Sequence, residues 1–301
     1  MKSLINKIAE ITGEENLIVD CDMSKFTSFR AGGKADCLVQ PQDKEQLKAV
    51  LQLLAGSDVQ YMVMGNGSNI LVKDSGYRGI IVKMGDAFSS IEIDGTVLTA
   101  GCGTMMSRVA NAALEAGLTG FEFASGIPGS LGGAVFMNAG AYGGEMVQII
   151  KEATLISRDG SREYTVTCDE LELSYRHSKL HETGDIAVSV TLQLAEGDRE
   201  AIQAEMKDLA AKRNSKQPVH LPSAGSFFKR PEGYFAGKLV QDAGLKGFSV
   251  GAAQVSPMHS GFVVNNGGAT ATEILQLMEI VQATVMEKFG VKLEPEVRII
   301  G

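Results

Sequence analysis

The sequence predicts an α+β protein of more than one domain, and three local patterns support this prediction. The segment Gln42–Ala55 places four apolar side chains on one helical face, namely Leu47, Val50, Leu51 and Leu54. The dipeptide Asp94-Gly95 lies between segments of alternating polarity, which predicts a β-hairpin. The segment Thr270-Ala-Thr-Glu273 is a capping box that begins another helix. Helices and antiparallel strands are therefore both expected, and 301 residues allow two or three domains.

The first part of the chain alternates between the two kinds of element. Predicted helices cover residues 2–15, 42–55 and 104–116, and Gly117 ends the third helix. The predicted strands are Val59–Met64, Gly79–Lys83, Ile91–Thr99, Val147–Ser157 and Glu163–Thr167. Antiparallel pairing is therefore expected to dominate from residue 78 onward.

The second part of the chain begins with a strand at Ile186–Leu194 and a helix that Asp198 caps and that runs to about Lys212. The segment Arg213–Pro222 contains two prolines and predicts a crossover into another domain. The remaining predicted elements are a short helix at 235–243, strands around 261–265, a helix from the capping box to Gly290, and a final strand at 296–300.

The composition excludes several classes of protein. With 44% hydrophobic and 21% charged residues, the chain has the composition of an ordinary globular protein. Its net charge of −8 argues against a general nucleic-acid partner. The N-terminal residues do not form a signal peptide, and no apolar run approaches the ~18 residues of a membrane span. We therefore expect a cytoplasmic protein with neither a nucleic-acid nor a membrane partner.

Cysteine and histidine spacing gives no support for a metal site. The four cysteines stand far apart without a C-x-x-C pair, which favours buried thiols over disulfides or clusters. His177 and His181 could share a helix face, but no third ligand accompanies them at metal-binding spacing.

Glycine is concentrated in two segments. Seven glycines lie between Gly126 and Gly144, and Gly65-Asn-Gly-Ser-Asn69 follows a predicted strand. Glycine weakens helices and strands, but it lets bare backbone N–H groups approach an anion. A pyrophosphate held by both loops explains the pattern, and so does a pair of tight turns. The first loop is neither a Walker A motif nor a G-x-G-x-x-G fingerprint, so NTP hydrolysis and a Rossmann site are not expected.

Three further clusters could carry chemistry. Arg176 stands in Leu173-Ser-Tyr-Arg-His-Ser178, Ser226 lies between a glycine and two phenylalanines, and Glu296 enters an apolar strand. Each has an ordinary alternative: a solvated surface arginine, a turn serine, and a charge at the end of a strand. No G-x-S-x-G elbow accompanies the serine.

Taken together, these segments resemble the UDP-N-acetylenolpyruvoylglucosamine reductase (MurB) family of flavoenzymes. The resemblance covers residues ~24 to 301 and rests on motifs that occur in the family's order. The motifs are Phe26-Thr-Ser-Phe-Arg-Ala-Gly-Gly33, Gly65-Asn-Gly-Ser-Asn-Ile70, Gly126–Gly144, Tyr175-Arg-His-Ser178, Gly225-Ser-Phe-Phe-Lys229 and Glu294-Pro-Glu-Val-Arg298. The short spacing from Ile186 to Asp198 resembles the compact type II form, which lacks a tyrosine-bearing loop.

The resemblance implies an FAD-binding fold of the vanillyl-alcohol oxidase (PCMH) type in two lobes, plus a C-terminal α+β substrate domain. The implied domains are residues 1–77 and 78–212 for the two lobes and 213–301 for the substrate domain. FAD would be noncovalent. The residues implied to bind it are Arg30, Gly65, Asn66, Gly67, Ser68, Asn69, Ile70, Ser125, Gly126, Ile127, Pro128, Gly129, Gly132, Gly133, Ala134, Asn138 and Gly140.

The implied reaction is the NADPH-dependent reduction of UDP-N-acetylglucosamine enolpyruvate to UDP-N-acetylmuramate, a step of peptidoglycan precursor synthesis. Ser226 would be the proton donor, and Arg176 and a protonated Glu296 would stabilise the enolate. Substrate contacts are implied for Tyr175, Arg213, Lys216, Lys229 and Gln254. Two alternatives remain at this point: an FAD-dependent oxidase of the same fold, and a flavin-free protein that binds a nucleotide sugar.

Overall fold

The computed structural model describes all residues from Met1 to Gly301. The helices are α1 Lys2–Thr12, α2 Lys44–Ala55, α3 Met106–Glu115, α4 Leu131–Phe136, α5 Leu180–Thr183, α6 Arg199–Lys216, α7 Ala236–Asp242 and α8 Ala271–Phe289. The strands are β1 Leu17–Asp22, β2 Lys34–Val39, β3 Tyr61–Met64, β4 Ile70–Val72, β5 Tyr77–Lys83, β6 Ile91–Asp94, β7 Val97–Gly101, β8 Leu118–Thr119, β9 Gly140–Ala141, β10 Gly144–Glu145, β11 Ile150–Ile156, β12 Glu163–Thr167, β13 Ile186–Gln193, β14 Ala195–Glu196, β15 Ser223–Ser226, β16 Ser249–Val250, β17 Ala253–Val255, β18 Phe262–Asn265 and β19 Arg298–Ile300.

The chain folds into two units, each made of three segments. The first unit comprises residues 1–19, 37–66 and 79–212, and the second comprises residues 20–36, 67–78 and 213–301. The sequence analysis divides the chain by function into domains of residues 1–77, 78–212 and 213–301, whereas these two units are defined by compactness. The three functional domains therefore stay a prediction.

A five-stranded antiparallel sheet forms the centre of the first unit, in the order β12-β11-β13-β7-β6. Strands β6 and β7 form the predicted hairpin, in which Asp94 pairs with Val97 across a two-residue turn. Apolar side chains from β7, β11 and β13 pack with those of α3 and α4 in one core. A second core of the same unit contains side chains from α1, α2 and β5.

A four-stranded antiparallel sheet in the order β15-β18-β17-β16 organises the second unit. Helices α7 and α8 contribute Leu239, Val240, Ile274 and Leu277 to a core that also contains Phe227. Strand β19 runs parallel to β4, with Ile299 opposite Leu71. The predicted capping box is present, because Thr270 and Glu273 each bond the other's backbone N–H. Gly290 ends α8 in the left-handed conformation, as the sequence predicts.

Helix α6 and the glycine-rich stretch differ from the elements expected for them. Helix α6 continues to Lys216, so Arg213 and Lys216 lie on its last turns and the connection begins only at Gln217. The glycine-rich stretch, expected as a loop, contains the short helix α4. Tertiary contacts override the low helix propensity of its two glycines. None of the helices combines the length and the apolar composition that a membrane span requires.

Asp74, in the loop after β4, supplies a second cap for the long helix α8. Its carboxylate accepts hydrogen bonds from the backbone N–H groups of Ala271 and Thr272, at 2.9 and 2.7 Å, and from the Thr272 hydroxyl at 2.6 Å. Partial desolvation favours the protonated acid, but these hydrogen bonds outweigh it and hold the pKa of Asp74 below its ordinary value of 3.8. The ionised carboxylate therefore stabilises the folded chain.

Asp74→Asn is expected to lower the free energy of unfolding of the second unit at pH 7 by about 1 kcal/mol, since the carboxylate is exposed and screened by water. A carboxyl group whose pKa is lower in the folded state than in the unfolded state stabilises the fold at pH values above its unfolded-state pKa. This stabilisation is lost as the pH falls through the folded-state pKa. Melting curves of both proteins should therefore differ at pH 7 and converge as the pH falls through the lowered folded-state pKa of Asp74. A difference that stays constant across that range would contradict this role. Asp43→Asn is the matched control, because the asparagine oxygen can still accept the single backbone hydrogen bond by which Asp43 caps α2.

Candidate active site

The long glycine-rich segment is fixed in the first unit by the turn between β7 and α3. The N–H of Leu131 donates to the Thr104 carbonyl at 2.8 Å, and the N–H of Gly132 donates to the Cys102 carbonyl at 2.9 Å. In return, the Gly129 carbonyl accepts from Met106. A Cβ atom at Gly132 would lie 2.9 Å from the Cβ of Cys102, so only glycine fits there without displacement. The close approach to Cys102, and not a need for backbone flexibility, therefore explains the glycine at position 132.

Several backbone N–H groups of this segment have no partner in the protein. They belong to Gly126, Gly129, Ser130 and Gly133. Gly129 and Ser130 are buried, although a buried N–H is ordinarily hydrogen-bonded. A cluster of unpaired amides is suited to binding an anion.

The two glycine-rich segments meet within the first unit. A Cβ atom at Gly65 would collide with the Ser130 hydroxyl, so the absence of a side chain at Gly65 allows the approach. The N–H groups of Gly65 and Asn66 likewise donate to no protein acceptor. Those of Gly67 and Ser68, which belong to the second unit, also have no protein acceptor. Gly67 has a φ of +66°, a conformation that favours glycine.

Asn138 links three separate segments through its buried side chain. Its amide nitrogen donates to Glu145 and to the Ser174 carbonyl, both at 3.1 Å, and its oxygen accepts from Val147 at 2.9 Å. The residue is only 1% exposed. Its side chain therefore positions the β9–β10 hairpin, and any contact with a ligand would have to come from its backbone.

Arg176 stands at the tip of a tight turn. Ser174 and His177 exchange two backbone hydrogen bonds of 3.1 Å, which leaves Tyr175 and Arg176 at the centre of the turn. Arg176 has a φ of +55°, which is strained for a residue with a side chain. Its guanidinium lies over the Tyr175 ring and points toward the carbonyls of Asn138 and Gly140. The turn thus places one cation beside the glycine-rich segment.

His177 and His181 have structural partners. The rings stack on each other, and His181 also stacks on Phe136 with 3.8 Å between ring centroids. Ser178, which is fully buried, donates to the Phe136 carbonyl at 2.7 Å. These contacts join the Arg176 turn to the end of α4.

Ser226 and Glu296 lie on neighbouring segments of the second unit. The N–H of Glu296 donates to the carbonyl of Phe227, the residue after Ser226, at 2.9 Å. The Glu296 carbonyl in turn accepts from the Asn69 side chain at 3.1 Å. A β-bulge at Gly225, which has a φ of +76°, interrupts the pairing of β15 with β18. The bulge leaves the Ser226 hydroxyl exposed between the buried side chains of Ala224 and Phe227.

The substrate residues expected from the sequence occupy different kinds of position. Lys216 is exposed on the last turn of α6, and Arg213 donates to Gln217 from the same helix. Lys229 is partly buried, and its N–H donates to the Glu294 carbonyl. The amide of Gln254 already bonds the Gly247 carbonyl and Asn266, at 3.0 Å each. The contacts of these residues with a substrate stay predictions.

Arg30 is exposed, with a φ of +52°, in a segment that neighbouring residues hold rigidly. Asn265 donates to the carbonyls of Phe29 and Arg30 at 3.0 and 3.3 Å. Ser28 donates to the Ser68 and Ser223 carbonyls at 3.2 and 2.6 Å. Ser28 is thus a positioning residue that was not among those expected from the sequence. Only its place within the Phe26–Gly33 motif could have indicated this role.

Comparisons with known proteins define the class of the chain. Residues 35–165 match a family model described as an FAD binding domain, and residues 217–300 match the C-terminal domain of UDP-N-acetylenolpyruvoylglucosamine reductase. The chain is thus an FAD-dependent oxidoreductase, as expected. A reductase of that name from Clostridium perfringens (strain SM101 / Type A) is 51% identical over 98% of this chain and 96% of its own length. The chain belongs to the UDP-N-acetylenolpyruvoylglucosamine reductase (MurB) family.

Further comparisons agree with this assignment. The relative from Clostridioides difficile (strain 630) is 48% identical over 98% of this chain and 96% of its own length. The crystal structure of the Thermus caldophilus MurB protein matches with a TM-score of 0.81 and 33% identity, covering 95% of this chain and 98% of that one. The predicted family and the predicted FAD-binding fold with its additional C-terminal domain are confirmed.

The residues present are compatible with FAD. A dinucleotide carries a pyrophosphate dianion, and the unpaired amides of Gly129 and Ser130 are donors that lack an acceptor in the protein. Glycine at positions 65 and 132 lets these segments approach Ser130 and Cys102, which keeps the unpaired amides close together. Which residues contact FAD stays a prediction.

Proposed function

We propose that this protein reduces UDP-N-acetylglucosamine enolpyruvate to UDP-N-acetylmuramate with NADPH, in the synthesis of peptidoglycan precursors. The observation that supports this best is the meeting of Gly65 and Ser130, which joins two loops of unpaired amides in a chain of this family. The relatives that carry the reductase name align with this chain over 96% of their own length. A cytoplasmic location follows from the same proposal, because NADPH and nucleotide sugars are cytoplasmic metabolites.

FAD, when bound, supplies a carrier that takes a hydride from NADPH and delivers it to the vinyl group of the sugar nucleotide. We propose that residues 65–70 and 125–140 hold its pyrophosphate and ring system through backbone N–H groups. Arg30 and Arg176 are proposed to lie near the flavin. The cofactor would be held noncovalently.

Reduction of the enolpyruvyl group leaves negative charge on the carbon beside its carboxylate. Arg176 is proposed to stabilise this charge, since contacts with the Tyr175 ring and with the carbonyls of Asn138 and Gly140 hold its guanidinium beside the glycine-rich segment. A protonated Glu296 would donate a hydrogen bond to the same enolate. Fixed donors are effective because they need no reorganisation as the charge develops.

Ser226 is proposed to protonate that carbon. Its hydroxyl is exposed on the bulge and makes no hydrogen bond within the protein, so it can face a ligand. A hydroxyl is a weak acid, but the enolate is a strong base, and placement therefore matters more than acidity. Arg213, Lys216 and Lys229 would bind the UDP diphosphate, and Tyr175 and Gln254 would contact other parts of the substrate.

A two-step anaerobic experiment tests the proposed function. The purified protein should show flavin absorption, lose it on addition of NADPH, and regain it on addition of UDP-N-acetylglucosamine enolpyruvate without oxygen. Reduction of the flavin by an alcohol and its reoxidation by oxygen, but not by the enolpyruvyl compound, would instead identify an oxidase. A colourless protein that releases no flavin on heating would exclude both activities.

A further inference from the structure

The backbone of Glu296 is held on both sides by groups of the second unit. Its N–H donates to the Phe227 carbonyl at 2.9 Å, and its carbonyl accepts from the Asn69 side-chain amide at 3.1 Å. Phe227 directly follows Ser226, and Asn69 is the last residue before β4. These two bonds therefore fix the proposed acid between the strand that carries the proposed proton donor and the loop that precedes β4.

The bond from the Asn69 side chain occupies a position that belongs to the backbone in a regular parallel pair. Strand β19 pairs with β4 so that Arg298 lies opposite Ile70, and the N–H of Arg298 donates to the Asn69 carbonyl at 3.0 Å. The preceding step of a regular parallel ladder would join the Asn69 N–H to the Glu296 carbonyl. The side-chain amide makes that bond instead, and the backbone N–H of Asn69 donates to no protein acceptor.

This exchange of a backbone donor for a side-chain donor has two consequences. The N–H of Asn69 joins those of Gly67 and Ser68, so three successive backbone donors of the loop lack protein acceptors. Glu296 is nevertheless anchored, although the pairing of β19 with β4 begins only at Arg298. Without the side-chain amide, the Glu296 carbonyl would lose its donor or draw the backbone of residue 69 toward it. A displacement of about 1 Å near the reacting atoms costs ~10²-fold in rate.

We propose that Asn69 is a positioning residue for the reduction of the enolpyruvyl substrate, and that it acts by holding the backbone of Glu296. The proposal rests on the proposed function, because it requires that Glu296 stabilises the enolate. In this arrangement the side chain of Asn69 serves Glu296, and only its backbone N–H is available to FAD. Asn69 therefore acts in the half-reaction in which the enolpyruvyl compound oxidises the reduced flavin.

The test is a double-mutant cycle of Asn69→Ala and Glu296→Ala in the full-length protein with FAD bound. Asn69→Ala alone should slow oxidation by the enolpyruvyl substrate about tenfold to hundredfold, while reduction by NADPH keeps its rate. In the Glu296→Ala background, Asn69→Ala should cause no further slowing, because the carboxyl group that it positions is already absent. FAD affinity, titrated by flavin fluorescence after removal of the cofactor, should match that of the parent.

Gln282→Ala is the matched control for Asn69→Ala. The Gln282 amide also anchors the C-terminal segment by donating to a backbone carbonyl, that of Leu293, at 2.8 Å. Its loss should leave the rates of both half-reactions unchanged. Asn69→Leu, which keeps the branched shape of the side chain without its amide, is a second variant and should reproduce every result for Asn69→Ala.

An unchanged oxidation rate in both Asn69 variants would overturn the proposal. So would equal slowing of both half-reactions, further slowing in the Glu296→Ala background, loss of FAD from both variants, or the same slowing in Gln282→Ala. If Glu296→Ala itself kept the parent rate, the proposed role of Glu296 would be wrong, and this proposal with it. A parent protein that binds FAD but is not reoxidised by the enolpyruvyl compound would refute the proposed function instead.

Discussion

Ser226→Ala is expected to slow the oxidation of the reduced enzyme by the enolpyruvyl substrate about 10²–10⁴-fold, the usual contribution of a positioned acid. Reduction by NADPH should keep its rate, because Ser226 has no role in that half of the reaction. The exposed hydroxyl on the β15 bulge is the only group that the substitution removes. Rapid-mixing absorbance measurements without oxygen follow the two halves separately.

Ser223→Ala is the control for Ser226→Ala, since Ser223 lies on the same strand and bonds Ser28 through its backbone carbonyl. It should leave both rates unchanged. If Ser226→Ala slowed both halves equally, the serine would have a structural role and another residue would be the proton donor.

Glu296→Ala is expected to lower turnover about 10²–10³-fold, as removal of one donor to a developing oxyanion does in other enzymes. Glu296→Gln should cost far less, because its amide still donates a hydrogen bond and has nearly the same shape. The backbone bonds of residue 296 to Phe227 and Asn69 do not involve the substituted carboxyl group. Steady-state turnover with saturating substrates measures both variants.

Equal losses in Glu296→Gln and Glu296→Ala would show that the donor role is wrong and that the negative charge itself is needed. Glu294→Gln provides the control, because Glu294 is exposed and its contact with Lys229 is a hydrogen bond that its backbone carbonyl accepts from the Lys229 N–H. Turnover in this control should match that of the parent.

Local signals made part of the fold predictable. The Asp94-Gly95 hairpin and the Thr270 capping box each depend on a few adjacent residues, and both are present. Helix α4 was missed because its glycines oppose helix formation locally, while contacts with Cys102 and Thr104 favour it from elsewhere in the chain. The end of α6 was placed too early, since nothing before Pro218 breaks the helix.

The candidate site, like the fold, was predictable only where the signal lies in adjacent residues. The density of glycines in the sequence predicted both loops, because glycine is typical of turns and loops. The contact between Gly65 and Ser130 was not predictable, since it joins residues far apart in sequence. The buried amide of Asn138 is a similar case, because its three partners come from separate segments. The family resemblance implied an FAD contact for Asn138, whereas its side chain joins three segments of the protein.

The steric fit between Gly65 and Ser130 also limits how this enzyme can change over generations. An added methyl group at position 65 has no room while a hydroxymethyl group occupies position 130, so the fitness of one substitution depends on the other. Sequence drift at these two positions should therefore be correlated, and a laboratory library that varies them singly would miss the tolerated pairs.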